Sequence, residues 1–119
     1  DHPGKDTWRH AQAGADVVCI SSSEKFAMIK KTHCDMPLDE IVAKIDDVDI
    51  ILVEGYKNHS ARRVEIFRQA AGREPLGRPA DIFAVISDIP LYQGLPHFGL
   101  EEPASFADYL AGRIQDDWR

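Results

Sequence analysis

Two short apolar runs limit the architecture of this chain sharply. Residues Ile50, Ile51, Leu52 and Val53 are followed at once by Glu54, and the run 82–86 is followed by Ser87 and Asp88. A strand that is apolar at every position has no water-facing side, so both faces of its sheet need cover, as in parallel sheets flanked by helices. Residues 50–53 are accordingly expected to form a central strand. Other patterns fit the same α/β plan. The runs 17–20 and 26–29, separated by Ser21, Ser22 and Ser23, predict two neighbouring strands. Pro37 opens a helix with Leu38, Ile41, Val42 and Ile45 on one stripe, and a last helix from about Ala104 carries Phe106, Leu110 and Ile114. An alternating strand is expected over 63–67. Residues 68–79, rich in Gly, Pro and Arg, are expected to be a long loop.

The 119 residues read as one α/β domain without repeats or low-complexity tracts, long enough to bury a core without disulfides. Cys19 and Cys34 are expected to be free and mostly buried. No apolar run reaches the roughly 18 residues of a membrane span and no secretory signal is visible, so a soluble, cytoplasmic protein is expected. The net charge of −6 argues against nucleic acid or anionic lipid as a partner. That charge is uneven. Residues 57–78 hold six bases (Lys57, Arg62, Arg63, Arg68, Arg73, Arg78) and two acids (Glu65, Glu74), a local balance of +4 against −10 elsewhere. Arginine forks match phosphate oxygens, although a solvated loop explains the same pattern.

Three places carry groups suited to chemistry. Lys5 and Arg9 lie near the start of a short helix ending near Gly14, where an anion could be shared with backbone N–H groups. Glu54 sits at the C-terminal end of the expected central strand, the position from which a carboxylate in a nucleotide-hydrolysing fold holds Mg²⁺, directly or through water, or orients the attacking water. Gly55 allows the backbone to turn close to a ligand. Asp88 repeats that placement and could accept from the two donors on the guanine edge, or serve only in a turn before Pro90. The five histidines do not fall at metal-ligand spacing.

Taken together, Asp1, Pro3, Gly4, Lys5, Asp6 and Thr7, then Leu52 through Lys57 followed by Val64 through Arg68, then Ala84 through Asp88 with Pro90, resemble the molybdopterin-guanine dinucleotide biosynthesis protein B (MobB) family. Order and spacing match along essentially the whole chain, with His2 departing from the family's usual Lys. The resemblance implies a P-loop GTP-binding protein, usually a homodimer, that assists the guanylyltransferase attaching GMP to molybdopterin. It implies a P-loop NTPase-like, Rossmann-like, mostly parallel sheet with flanking helices. The strand, P-loop and helix that open family members are missing here, and Gly4-Lys5 has no upstream glycine to replace them. The chain, which begins at Asp1 without a methionine, is therefore expected to be the C-terminal two-thirds of a P-loop GTP-binding domain.

Carried over residue by residue, the resemblance implies that Glu54 is the catalytic acid near Mg²⁺, possibly through water. Asp1, Lys5 and Asp6 would face the phosphates or the pterin, with Gly55 in the ligand-facing turn. Lys57 and Arg68 would bind anionic groups of cofactor or partner, and Asp88 would read guanine. GTP and Mg²⁺ are the implied cofactors, molybdopterin the pathway ligand, and any GTPase activity weak at most. Two other readings compete. One is an interaction or dimerisation module that docks on the guanylyltransferase without binding nucleotide. The other is a P-loop relative of the dethiobiotin-synthetase type, which should lack the Asp-Pro-Gly-Lys-Asp run.

Overall fold

The computed structural model describes residues 2–56 and 62–115. These residues fall into two compact units that divide between Asp46 and Asp47.

In the first unit, Gly4 makes a left-handed turn (φ 85°) that leads into helix α1, Asp6–Gln12. Gly14, at φ 108°, ends that helix and directs the chain into strand β1, Val17–Ser21. Strand β2, Phe26–Lys30, returns antiparallel, with Cys19 opposite Met28 at its centre. The serines between the runs have a structural reason: the Ser22 hydroxyl accepts from Lys25 N at 3.1 Å and from Glu24 N at 3.3 Å, closing the turn. Both thiols are free, as the residue count implies. They are exposed rather than buried: Cys19 because a two-stranded hairpin cannot enclose its own side chains, and Cys34 because it lies in the exposed connection between β2 and the next helix. Helix α2, Leu38–Val42, begins after Pro37 as expected but is short, and of its stripe only Leu38 is buried.

The second unit is organised by a three-stranded parallel sheet in the order β3-β4-β5, with β3 at Arg63–Phe67, β4 at Ile82–Ser87 and β5 at His97–Phe98. Parallel neighbours need a crossover of a dozen or more residues. Residues 68–81 provide it between β3 and β4 as a loop with two short 3-10 turns, Gln69–Ala71 and Pro79–Asp81. Strand β4 is the core: Ala84 and Val85 are wholly buried and Ser87 is almost so. Helix α3, Pro103–Gln115, lies against β5, where Phe98 meets the Phe106 ring edge-on (centroids 5.5 Å apart) and the Tyr109 ring at 5.4 Å.

One further expectation needs correction here. Residues 50–53 are not a central strand: they pair with no strand among the described residues, and Leu52 is 80% exposed. An apolar run supplies side chains for a buried strand, but the ladder requires a neighbouring backbone on each side. Strand β3 alternates in an unusual sense. Glu65 and Phe67 are buried while Ile66 stays 69% exposed, because the crossover covers the Glu65 face. The α/β class itself is as expected.

Candidate functional site

In the first unit the Pro-Gly turn brings polar groups to a hollow. A cavity of about 310 Å³ is lined by His2, Lys5, Asp6, Thr7 and Ile20. Lys5 occupies the N-cap position of α1 in an extended conformation, without a side-chain cap bond, while its carbonyl accepts from Arg9 N at 2.9 Å. The Lys5 and Asp6 side chains are exposed, so a cation and a carboxylate border the same hollow. Ammonium, imidazole and hydroxyl groups together suit an anion such as a phosphate. Asp1 lies outside the described residues.

In the second unit Glu54 is exposed and precedes two left-handed residues, Gly55 at φ 89° and Tyr56 at φ 49°. A left-handed non-glycine residue carries a conformational cost that its surroundings must offset. Lys57 and His59 lie outside the described residues. Because β3 and β4 run in the same direction, Arg68 and Asp88 emerge at one sheet edge. There Gln69 N donates to Asp88 Oδ1 at 3.0 Å, so one carboxylate oxygen caps the first 3-10 turn. Arg68 and Asp88 are both exposed. Among the described residues, no hydrogen bond or ion pair links Glu54 to Arg68 or to Asp88.

Sequence reasoning gave no role of their own to two polar groups that the second unit buries, Ser87 and Glu65. Ser87 donates its hydroxyl proton to the Ile89 carbonyl, and His97 Nε2 lies 2.8 Å from Ser87 Oγ and 3.2 Å from Ile89 O. A hydroxyl whose proton is already committed, on a side chain barely reached by solvent, is a staple of the β4 turn and not a nucleophile. The second group is Glu65, 3% exposed, whose Oε1 accepts from Leu76 N at 2.6 Å while Oε2 has no hydrogen-bond partner. Nearby, the Tyr92 hydroxyl accepts from Gly77 N at 2.8 Å. Burial raises the Tyr92 pKa above the ordinary 10.0; the Glu65 carboxylate adds to that effect and the Gly77 N–H opposes it. An acid at an inward position of an alternating strand was the available signal.

Comparison with known proteins settles the lineage. The family model for molybdopterin guanine dinucleotide synthesis protein B matches residues 1–88, which include the Pro-Gly-Lys turn, the Glu54-Gly55 turn and the edge bearing Arg68 and Asp88. The chain belongs to this family. Among curated MobB relatives, the molybdopterin-guanine dinucleotide biosynthesis adapter protein of Escherichia coli K12 is 30% identical over 121 residues, covering 97% of this chain and 69% of the relative. The adapter protein of the same name from Haemophilus influenzae is 29% identical over 112 residues, covering 92% of this chain and 63% of the relative. A probable adapter protein of Bacillus subtilis is 25% identical over 118 residues, covering 96% and 67%. The chain thus spans about two thirds of the length of the MobB relatives it matches. Among the described residues, no helix is long and apolar enough to cross a membrane, and no group of three or more acids, histidines or cysteines is gathered to hold a metal.

Proposed function

We propose that this protein is an accessory component in the attachment of GMP to molybdopterin, acting in the cytoplasm beside the guanylyltransferase and, with the rest of a P-loop GTP-binding domain, binding GTP. The observation that carries the reading is the family match across residues 1–88, joined to relatives named as adapters that align with 92–97% of the chain. The chemistry of Glu54 fits the metal. Mg²⁺ keeps several waters and takes only one or two carboxylates beside substrate phosphates, so the solitary exposed Glu54 suits it better than a closed cage would. When bound, Mg²⁺ would neutralise phosphate charge.

Each remaining residue then has a task that its surroundings allow. Glu54 holds Mg²⁺ through water or orients the attacking water, and any hydrolysis is weak. Gly55 gives a ligand room to approach. Lys5 supplies a point charge for phosphate and Asp6 a carboxylate at the rim of the same hollow, a loop to which Asp1 also belongs. Arg68, with Lys57 and the neighbouring arginines, attracts anionic groups of the pterin cofactor or the partner. Asp88 keeps one oxygen on Gln69 N and offers the other to a guanine N–H.

A second reading is favoured by the hairpin. Ile20 and Ile29 on one face of the hairpin, and Phe26 and Met28 on the other, are each more than half exposed, apolar groups that suit docking on the guanylyltransferase or pairing of two copies into a homodimer. One experiment separates the readings: purified guanylyltransferase, molybdopterin and GTP with Mg²⁺ are mixed with and without this protein. Dinucleotide formation and complex formation by sedimentation are then followed together. An acceleration of about tenfold or more, equivalent to ~1.4 kcal/mol in the barrier, supports the accessory role. A complex without acceleration leaves docking alone. Neither effect overturns both readings.

A further inference from the structure

The crossover 68–81 does work that a helix usually does in an α/β protein, yet little fixes it. Between Arg73 and Gly77 the chain has no helix or strand. Among the described residues, the hydrogen bonds made by its backbone N–H groups there are two: Leu76 to Glu65 Oε1 and Gly77 to Tyr92 Oη. Two successive N–H groups thus turn inward onto acceptors of other elements, one on β3 and one in the connection between β4 and β5. Gly77 adopts φ 72°, which suits glycine and lets both N–H groups face the same way. Glu65 is an unusual residue for this duty. Its carboxylate is almost wholly buried beside the Tyr92 hydroxyl, and a buried charge is expensive to keep unless it serves something.

What it holds is a basic segment. The Arg73 and Arg78 side chains are exposed, and among the described residues their guanidinium groups make no hydrogen bond or ion pair. A loop already ordered before binding loses less conformational freedom when it takes a ligand.

We propose that Glu65 and Tyr92 form an internal latch that fixes the 72–78 loop so that Arg73 and Arg78 stand ready for an anionic, phosphate-bearing ligand; both are positioning residues. The inference rests on the reading above that the basic segment receives anionic groups, and it adds the device that prepares the segment. An apolar replacement of Glu65 separates latch from ordinary stability, because removing a poorly satisfied buried charge in favour of a packed side chain is often neutral or stabilising. The latch and the global fold therefore respond differently to the same change.

The test uses the full chain, with inorganic pyrophosphate as the probe and amide hydrogen exchange as the readout of the loop. Glu65→Met is expected to speed exchange at Leu76 and Gly77 by about tenfold or more, while Ala84 and Val85 in β4 and the melting temperature are unchanged or better protected. Pyrophosphate affinity is expected to fall several-fold. Glu65→Gln keeps an acceptor for Leu76 N and should restore most of both properties, and Tyr92→Phe provides an independent break if Glu65→Met fails to fold. Unchanged exchange at Leu76 and Gly77 overturns the latch. Faster exchange with unchanged pyrophosphate affinity, where Arg73→Ala with Arg78→Ala abolishes binding, overturns the positioning role while the anion reading stands. Parent-like binding by that double arginine variant overturns the anion reading and the inference with it.

Discussion

Helix α3 meets β5 through a cluster of three aromatic rings centred on Phe98, and removing that residue tests the energetics of the second unit. Phe98 belongs to a two-residue strand, so the β5 ladder contributes few hydrogen bonds, and its ring stands between Phe106 edge-on and Tyr109 at a tilt. A fully buried Phe→Ala change costs about 3–5 kcal/mol, and each good aromatic pair is worth about 0.5–1.5 kcal/mol beyond burial. Phe98 is only partly buried, which lowers the first figure. Phe98→Ala is therefore expected to lose about 2–4 kcal/mol, and Phe98→Leu, which keeps most of the apolar contact, about 1 kcal/mol. Urea unfolding followed by circular dichroism measures both, with amide exchange in α3 as the local readout. A loss below about 1 kcal/mol for Phe98→Ala, with α3 amides as protected as in the parent, would refute the claim that this cluster docks the helix.

Two further expectations follow from hydrogen bonds described above. Asp88→Ala removes the acceptor of Gln69 N and should cost about 1 kcal/mol in thermal or urea unfolding, whereas Asp88→Asn keeps an acceptor and should cost little; equal losses would mean that charge rather than the cap matters. Tyr92 has a folded-state pKa above the ordinary 10.0, so between the unfolded and folded values the native state binds more protons than the unfolded one. Its contribution is fully present below pH 10.0 and declines as pH rises through the folded value, so the alkaline fall in unfolding midpoint should be steeper in the parent than in Tyr92→Phe. Parallel slopes for the two proteins would sink that assignment.

Most elements were legible because their signals are local. The strands over 17–21, 26–30, 63–67 and 82–87 and the last helix follow from runs and stripes within a few residues, with Ser22 and Pro37 marking boundaries. The family, too, was legible from motifs spread along the chain. Residues 50–53 show where that method stops, since a strand is defined by neighbours and a run of Ile, Leu and Val does not name them. Glu65 shows the same limit at a single position. Alternation alone would turn Val64 and Ile66 inward, whereas the distant N–H of Leu76 in the crossover and the burial of Phe67 favour the opposite choice. Of the groups singled out in the sequence, the structure brings Arg68 and Asp88 to one edge because their strands are parallel, a relation that no local pattern contains.

Parallel order in the second unit also sets a timetable during synthesis on the ribosome. The β1–β2 hairpin can close as soon as β2, which follows a four-residue turn, has emerged, but β3 has no partner until β4 appears, and β4 has its second neighbour only with Phe98. At about 5–20 residues per second, the stretch from Phe67 to Phe98 takes roughly 2–6 s. For that interval the nascent chain displays Ile66 and Phe67 with no completed sheet, long enough for a chaperone to engage them. Substitutions that make this stretch more polar at Ile66, already solvent-facing in the finished fold, should raise the yield of soluble protein without loss of stability.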